Sequence, residues 1–307
     1  MHEPQPITLR CADGYELCGH FRRPAGNEAG TVIINPATGV LARYYHRYAR
    51  FLTEQGFACL TYDYRGIGLS RPSRIREARF RWRDWGELDF DAAVRWARRR
   101  DPHGPLMVVG HSFGGFLPGF APAAAQIDRL LTVGAQYAFW KDYAAAARLR
   151  LFLKWHVVMP ALTAMFGYFP GRRLGWLEDL PAGVAHEWSL RRARMEVSYS
   201  DHECPLILDR FESVQAPILA VGLTDDEFGT PQAILRGLRY YRGSERQRVM
   251  LAPADLGFAA VGHFDLFHDR HRTGFWPKTC VWLRDGMTPW PPDTLIPREV
   301  AANNFDE

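Results

Sequence analysis

Ser112 stands in the stretch "VVGHSFGGF", residues 108–116, with Gly110 and Gly114 at positions −2 and +2. A serine hydroxyl is a poor nucleophile unless a base takes its proton, and that base needs a carboxylate to orient it. Candidates for both lie downstream. Asp225 and Asp226 follow the apolar run "APILAVGL", and His263 sits in a Gly-His pair after "RVMLAP". Serine, acid, histidine is one of the chain orders in which such a triad occurs. The chemistry these groups could perform is attack on a carbonyl by Ser112, with His263 carrying the proton.

A serine used in this way needs a strained turn between a buried strand and a helix. The run "LMVVG" supplies the strand. Side chains at −2 and +2 would meet neighbouring backbone, and glycine fits both places. The N–H of Phe113, at the start of the following helix, then points toward the reacting carbonyl oxygen. Pro118 and Pro122 follow closely. Each removes a helical hydrogen bond and crowds the preceding turn, so this helix is expected to be short or kinked.

Strand and helix signals alternate along most of the chain. "PITLRCADGYELCGHFRRP" reads as a hairpin turning at Ala12-Asp13-Gly14. "GTVIIN", "FACLTY", "PLMVVGHS", "DRLLTV", "APILAVGL" and "QRVML" read as strands. Between them lie helical patterns such as "RYYHRYARFLTEQG", "DWGELDFDAAVRWARRRDP", "PQAILRGLRYYRG" and "GFWPKTCVWLRDG". This alternation predicts βαβ units and a mostly parallel sheet, with the hairpin antiparallel at one edge.

The alternation breaks over 139–211, where helical signals follow one another with no strand between them. We expect a helical insertion there, dividing a core of 1–138 and 212–307. From Leu151 to Phe169 the only charge is Lys154. A helix of that composition is expected to bury its apolar side over the sheet edge where Ser112 emerges. Phe166 and Phe169 are candidates to face the resulting cavity.

Composition narrows the remaining possibilities. Of 307 residues, 47% are hydrophobic and 23% charged, which suits a globular chain with a large core. The formal charge of +4 comes largely from arginine-rich helix faces, and no nucleic-acid binding is expected. Five cysteines with no CxxC pair suggest neither disulfides nor zinc and fit a reducing cytoplasm. The first residues lack the basic and apolar regions of a signal peptide. No uncharged run reaches the ~18–20 residues of a membrane span, so no stable membrane insertion is expected. No metal site is expected at "HFDLFHDRH", where His268 and His271 read as surface groups. Gly66-Ile67-Gly68 lacks the third glycine of a dinucleotide fingerprint, and no cofactor is implied.

With these pieces in hand, the chain resembles the α/β-hydrolase superfamily through "GHSFGG", "YDYRGIGLS", "GLTDDEFGTP" and "VGHFDLF". More closely, it resembles a group of bacterial predicted hydrolases related to the serine aminopeptidase branch. "PATG" replaces the His-Gly found in many hydrolases, and Asp84-Trp85-Gly86-Glu87-Leu88-Asp89 carries the W-G-x-x-D segment. The resemblance covers nearly the whole chain. It implies an α/β-hydrolase fold: a mostly parallel eight-stranded sheet flanked by helices, with a helical cap. It makes Ser112 the nucleophile and His263 the base. Gly222-Leu-Thr-Asp225 imitates the usual G-x-x-D, yet in relatives the acid falls nine residues after the residue matching Pro217, which favours Asp226. The oxyanion hole would pair the N–H of Phe113 with that of Ala37 or Thr38. The expected function is a serine hydrolase cleaving an ester, thioester or small amide, with esters favoured over peptides. An acyltransferase and a non-catalytic ligand-binding protein are the alternatives. A small molecule with an apolar part is the expected partner, and a homodimer is compatible with the sequence.

Overall fold

Strands at the middle of a sheet covered on both faces are apolar throughout, because neither face meets water. A computed structural model, describing residues 3–298, shows this along the chain. The outermost limits drawn from sequence, residues 1 and 307, lie outside the described residues. The strands are β1 (Gln5–Arg10), β2 (Glu16–Arg22), β3 (Thr31–Asn35), β4 (Ala58–Tyr62), β5 (Leu106–His111), β6 (Arg129–Val133), β7 (Tyr168–Phe169), β8 (Leu180–Pro181), β9 (Ile218–Leu223), β10 (Arg246–Leu251) and β11 (Thr294–Ile296). Every residue of β3, β4, β5 and β9 is buried, whereas β2 alternates between buried and open positions.

The main sheet runs β1-β2-β4-β3-β5-β6-β9-β10-β11. Its centre, from β4 to β10, is parallel, and the pairs β1/β2, β2/β4 and β10/β11 are antiparallel. The sheet therefore has nine strands, one more than the sequence suggests. The additional strand, β11, has three residues in a proline-rich tail, too few for a side-chain pattern. Backbone register holds it, from Arg246↔Ile296 to Arg248↔Thr294.

One face of the sheet is covered by helices His46–Glu54 and Phe275–Asp285, the other by Asp91–Arg100 and the segment after Ser112. That segment is short, as its prolines predict: an α-turn at Phe113–Phe116 passes into a 3-10 turn at Leu117–Phe120. Beside it the W-G-x-x-D segment has a packing role. Trp85 stacks on Tyr64 at 4.6 Å and donates to the Arg65 carbonyl, and a Cβ on Gly86 would lie 2.5 Å from the Leu117 carbonyl oxygen. Asp89, fully buried, accepts from the Arg65 Nε at 2.5 Å and the Arg65 N–H at 2.8 Å. Removing one partner of a buried ion pair leaves the other charge stranded. Asp89→Ala is expected to destabilise the fold by ~3 kcal/mol, with Asp13 still holding one end of Arg65. A urea titration reads this as a lowered midpoint; an unchanged midpoint would refute it.

Between β6 and β9 the chain leaves the sheet. A helix of 19 residues, Arg148–Phe166, opens with regular turns and contains a wider π turn over Leu153–Val158. Helices Ala182–Ser189 and Cys204–Ser213 follow. The antiparallel pair β7/β8 lies within this stretch, so it is not purely helical. By length and composition alone the first helix could cross a membrane. Here Leu151, Trp155, Met159 and Thr163 form its buried stripe. Leu149, Leu153, Val157 and Met165, on its other sides, are exposed.

Candidate active site

β5 ends at the centre of the sheet, and the chain must reverse there to begin a helix. Ser112 takes up the strain with φ 54° and ψ −128°, a conformation rare for a residue with a side chain. Gly114 permits the tight fold: a Cβ there would lie 2.4 Å from the carbonyl oxygens of Asn35 and Pro36. The turn thus packs directly against the loop leaving β3, which carries Ala37 and Thr38.

Asp226 follows β9 and His263 follows β10, so both arrive at the same sheet edge as Ser112. Asp226 Oδ2 accepts from His263 Nδ1 at 2.6 Å. Its Oδ1 accepts from the backbone N–H groups of Phe228 and Gly229 at 2.8 and 2.9 Å. Burial by itself would raise the Asp226 pKa. The facing imidazole and these N–H donors outweigh it, and the net shift is downward. Asp225 does something else. Its Oδ2 accepts from the Val261 and Gly262 N–H groups at 2.8 and 3.0 Å, which ties down the loop just before His263.

His111 stays outside this pair, as expected from its place beside Ser112. Ala37 N–H donates to the Tyr45 hydroxyl at 2.9 Å, and that hydroxyl donates to His111 Nδ1 at 2.7 Å. His111 Nε2 carries a proton and donates it to the His263 carbonyl at 2.8 Å. Burial first, then His263, lowers the His111 pKa to about 3, so the imidazole is neutral. The chain of contacts spaces the β3 loop from the His263 loop. It also occupies the Ala37 N–H and so corrects the expectation that left Ala37 beside Thr38 as an oxyanion donor. Among the described residues, the N–H groups of Thr38 and Phe113 have no backbone or side-chain acceptor. Thr38 is fixed through its side chain, whose Oγ1 accepts from the Trp82 indole at 2.9 Å.

Ser112, His263, Ala37 and Thr38 line one cavity of about 140 Å³. The Ser112 hydroxyl makes no hydrogen bond among the described residues. Apo sites commonly leave this contact open until substrate binds. The walls are aromatic. Trp82 stacks on Phe113 at 3.7 Å and on Trp188 at 5.5 Å, and Trp188 stacks on Trp155 at 4.6 Å. This column of rings joins the helix Arg148–Phe166 to the turn at Ser112. The buried Arg191 guanidinium lies over Trp82 at 4.8 Å.

These tryptophans escaped the sequence reading. Ten of them in 307 residues was the available signal, and Trp82, Trp155, Trp176 and Trp188 all line the cavity. Phe169 packs behind Trp155 and Trp176, and neither it nor Phe166 lines the cavity. Gly134 was also missed. Its φ is +56°, and a Cβ there would sit 2.9 Å from Asp226 Oδ2 and 3.1 Å from His263 Nδ1. His271, expected at the surface, is buried against Asp265, while His268 is exposed. Among the described residues no group of three or more His, Cys, Asp or Glu could hold a metal ion.

A parallel-centred sheet with serine, aspartate and histidine after β5, β9 and β10 is the architecture of the α/β-hydrolases. Residues 26–187, more than half of the chain, match the family described as "Serine aminopeptidase, S33", and the chain belongs to that family of hydrolases. No curated protein matches it. Among solved structures it is similar to DcsB in complex with a substrate analogue, with TM-score 0.63, 16% identity, and coverage of 92% of this chain and 98% of that one. It is also similar to the α/β hydrolase GrgF from Penicillium sp. sh18, with TM-score 0.59, 18% identity and coverage of 94% and 100%. A third likeness is the esterase domain of a Rhodothermus marinus protein, with TM-score 0.53, 17% identity and coverage of 92% and 98%. At these identities the likenesses show the fold.

Proposed function

We propose that the protein is a serine esterase working through an acyl-enzyme. The observation that carries this reading is the Asp226–His263 contact at 2.6 Å beside a strained Ser112 in one aromatic cavity. The Ser112 oxygen bonds to the substrate carbonyl carbon while His263 Nε2 takes its proton. Asp226 holds the imidazole in the tautomer that leaves Nε2 free to accept. Charge developing on the carbonyl oxygen meets the Phe113 and Thr38 N–H groups. Donors of this kind contribute ~3 kcal/mol each to transition-state stabilisation. His263 returns the proton to the departing alcohol, and the same sequence with water releases the acid and restores Ser112.

The acyl part lies under the cap, against Leu151, Trp155, Trp188 and Phe228. Each methylene buried there adds up to ~0.8 kcal/mol of binding, or about fourfold in kcat/KM. For p-nitrophenyl esters, kcat/KM is expected to rise from acetate to medium-length chains. It should then fall by octanoate, when a cavity of about 140 Å³ is overfilled. A flat profile, or a strict preference for acetate, would show that the aromatic walls serve packing alone. Failure to hydrolyse any ester would refute the reading.

A further inference from the structure

The cavity wall holds two cations, Arg150 and Lys154, and one carboxylate, Glu227. They do not share it. Arg150 Nη2 donates to both Glu227 oxygens, at 2.6 and 2.7 Å, so that carboxylate is engaged. The half-buried Lys154 ammonium sits in the corner formed by two nearly perpendicular indoles, 4.3 Å from the Trp176 centroid and 4.5 Å from that of Trp155. Among the described residues no carboxylate pairs with it. Burial, and after it the neighbouring Arg150, pushes the Lys154 pKa down. An aromatic wall that carries a cation without a carboxylate partner can take more than an alkyl chain. The two rings attract the ammonium and hold it in their corner, but they leave its outward N–H bonds unused.

We infer that the natural substrate carries a carboxylate at the far end of its acyl group, which Lys154 pairs with while the ester carbonyl lies at Ser112. The substrate class is then a monoester of a short dicarboxylic acid. This rests on the esterase reading above and names the substrate of the same site. The remote carboxylate is chemically unchanged by the reaction. It sets the position of the acyl chain, and Lys154 is a specificity-determining residue.

The test compares monomethyl adipate with methyl hexanoate, which have acyl chains of equal length, by titrating the acid released from the wild type, Lys154→Met and Lys154→Arg. A charge-assisted hydrogen bond of the usual strength gives a preference of about tenfold or more. The wild type should favour the adipate monoester by that factor in kcat/KM. Lys154→Met should lower the adipate-to-hexanoate ratio at least tenfold through a raised KM for the monoester, and Lys154→Arg should restore most of it. A wild type that favours methyl hexanoate, or a Met variant that slows both esters equally, overturns the inference and leaves the esterase standing. Hydrolysis of neither ester overturns the esterase reading, and this inference falls with it.

Discussion

Ser112→Ala is expected to lower kcat for ester hydrolysis by ~10⁶-fold, as removal of a nucleophile that acts in concert with its base does elsewhere. The covalent step needs an oxygen at this position, and alanine supplies none. The Thr38 and Phe113 N–H groups remain in the variant, so a small residual rate from carbonyl polarisation should persist. Alanine lacks only the hydroxyl, and that hydroxyl makes no hydrogen bond among the described residues, so the thermal midpoint should hardly move. Steady-state kinetics beside a melting curve separates lost chemistry from lost fold. Activity within tenfold of wild type in a folded variant would remove Ser112 from the reaction.

Asp226→Asn is expected to cost ~10⁴-fold in kcat, the scale set by a histidine held in the wrong tautomer. The reason lies in the hydrogen bonds around the carboxylate. Phe228 and Gly229 N–H groups both donate to Oδ1, so an asparagine must keep its oxygen there. Its NH2 group then faces His263 Nδ1, where Oδ2 now accepts at 2.6 Å. A donor facing Nδ1 forces the imidazole proton onto Nε2, and the base can no longer take the serine proton. Asp225→Asn retains an oxygen for the Val261 and Gly262 N–H groups and should lose less than about tenfold. A reversed order in kcat would mean that Asp225 orients the base.

The contrast between these two aspartates shows what was legible in the sequence. "GHSFGG" could be read because its constraints are local: a buried strand, a reversal, and glycines where a Cβ would lie about 2.4 Å from a carbonyl oxygen. The parallel centre of the sheet was legible for a similar reason, since doubly covered strands are apolar throughout. Adjacent carboxylates present a different problem. Which of them turns inward depends on where β9 ends and on N–H groups two and three residues further on. The choice between Ala37 and Thr38 was hidden more deeply, because a tyrosine hydroxyl eight residues away takes one of the two N–H groups. The aromatic column was illegible altogether. Trp82, Phe113, Trp155 and Trp188 lie far apart in sequence and follow no period. The helix Arg148–Phe166 posed another problem: apolar residues lie on several of its sides, yet only one stripe meets the protein. Likewise β11 is held by backbone pairing, which leaves no mark on three residues between prolines.

The central claim is that Ser112 becomes covalently acylated, with His263 as its base and Asp226 behind it. A fluorophosphonate reacts with strong preference at a serine oxygen activated in this way and stays bound to it. The most direct measurement is intact-mass and peptide-mass analysis of the protein after such labelling, for wild type and Ser112→Ala. The account predicts one adduct per chain, carried by Ser112 and absent from the Ala variant. An adduct on another serine, or equal labelling of the Ala variant, would contradict it.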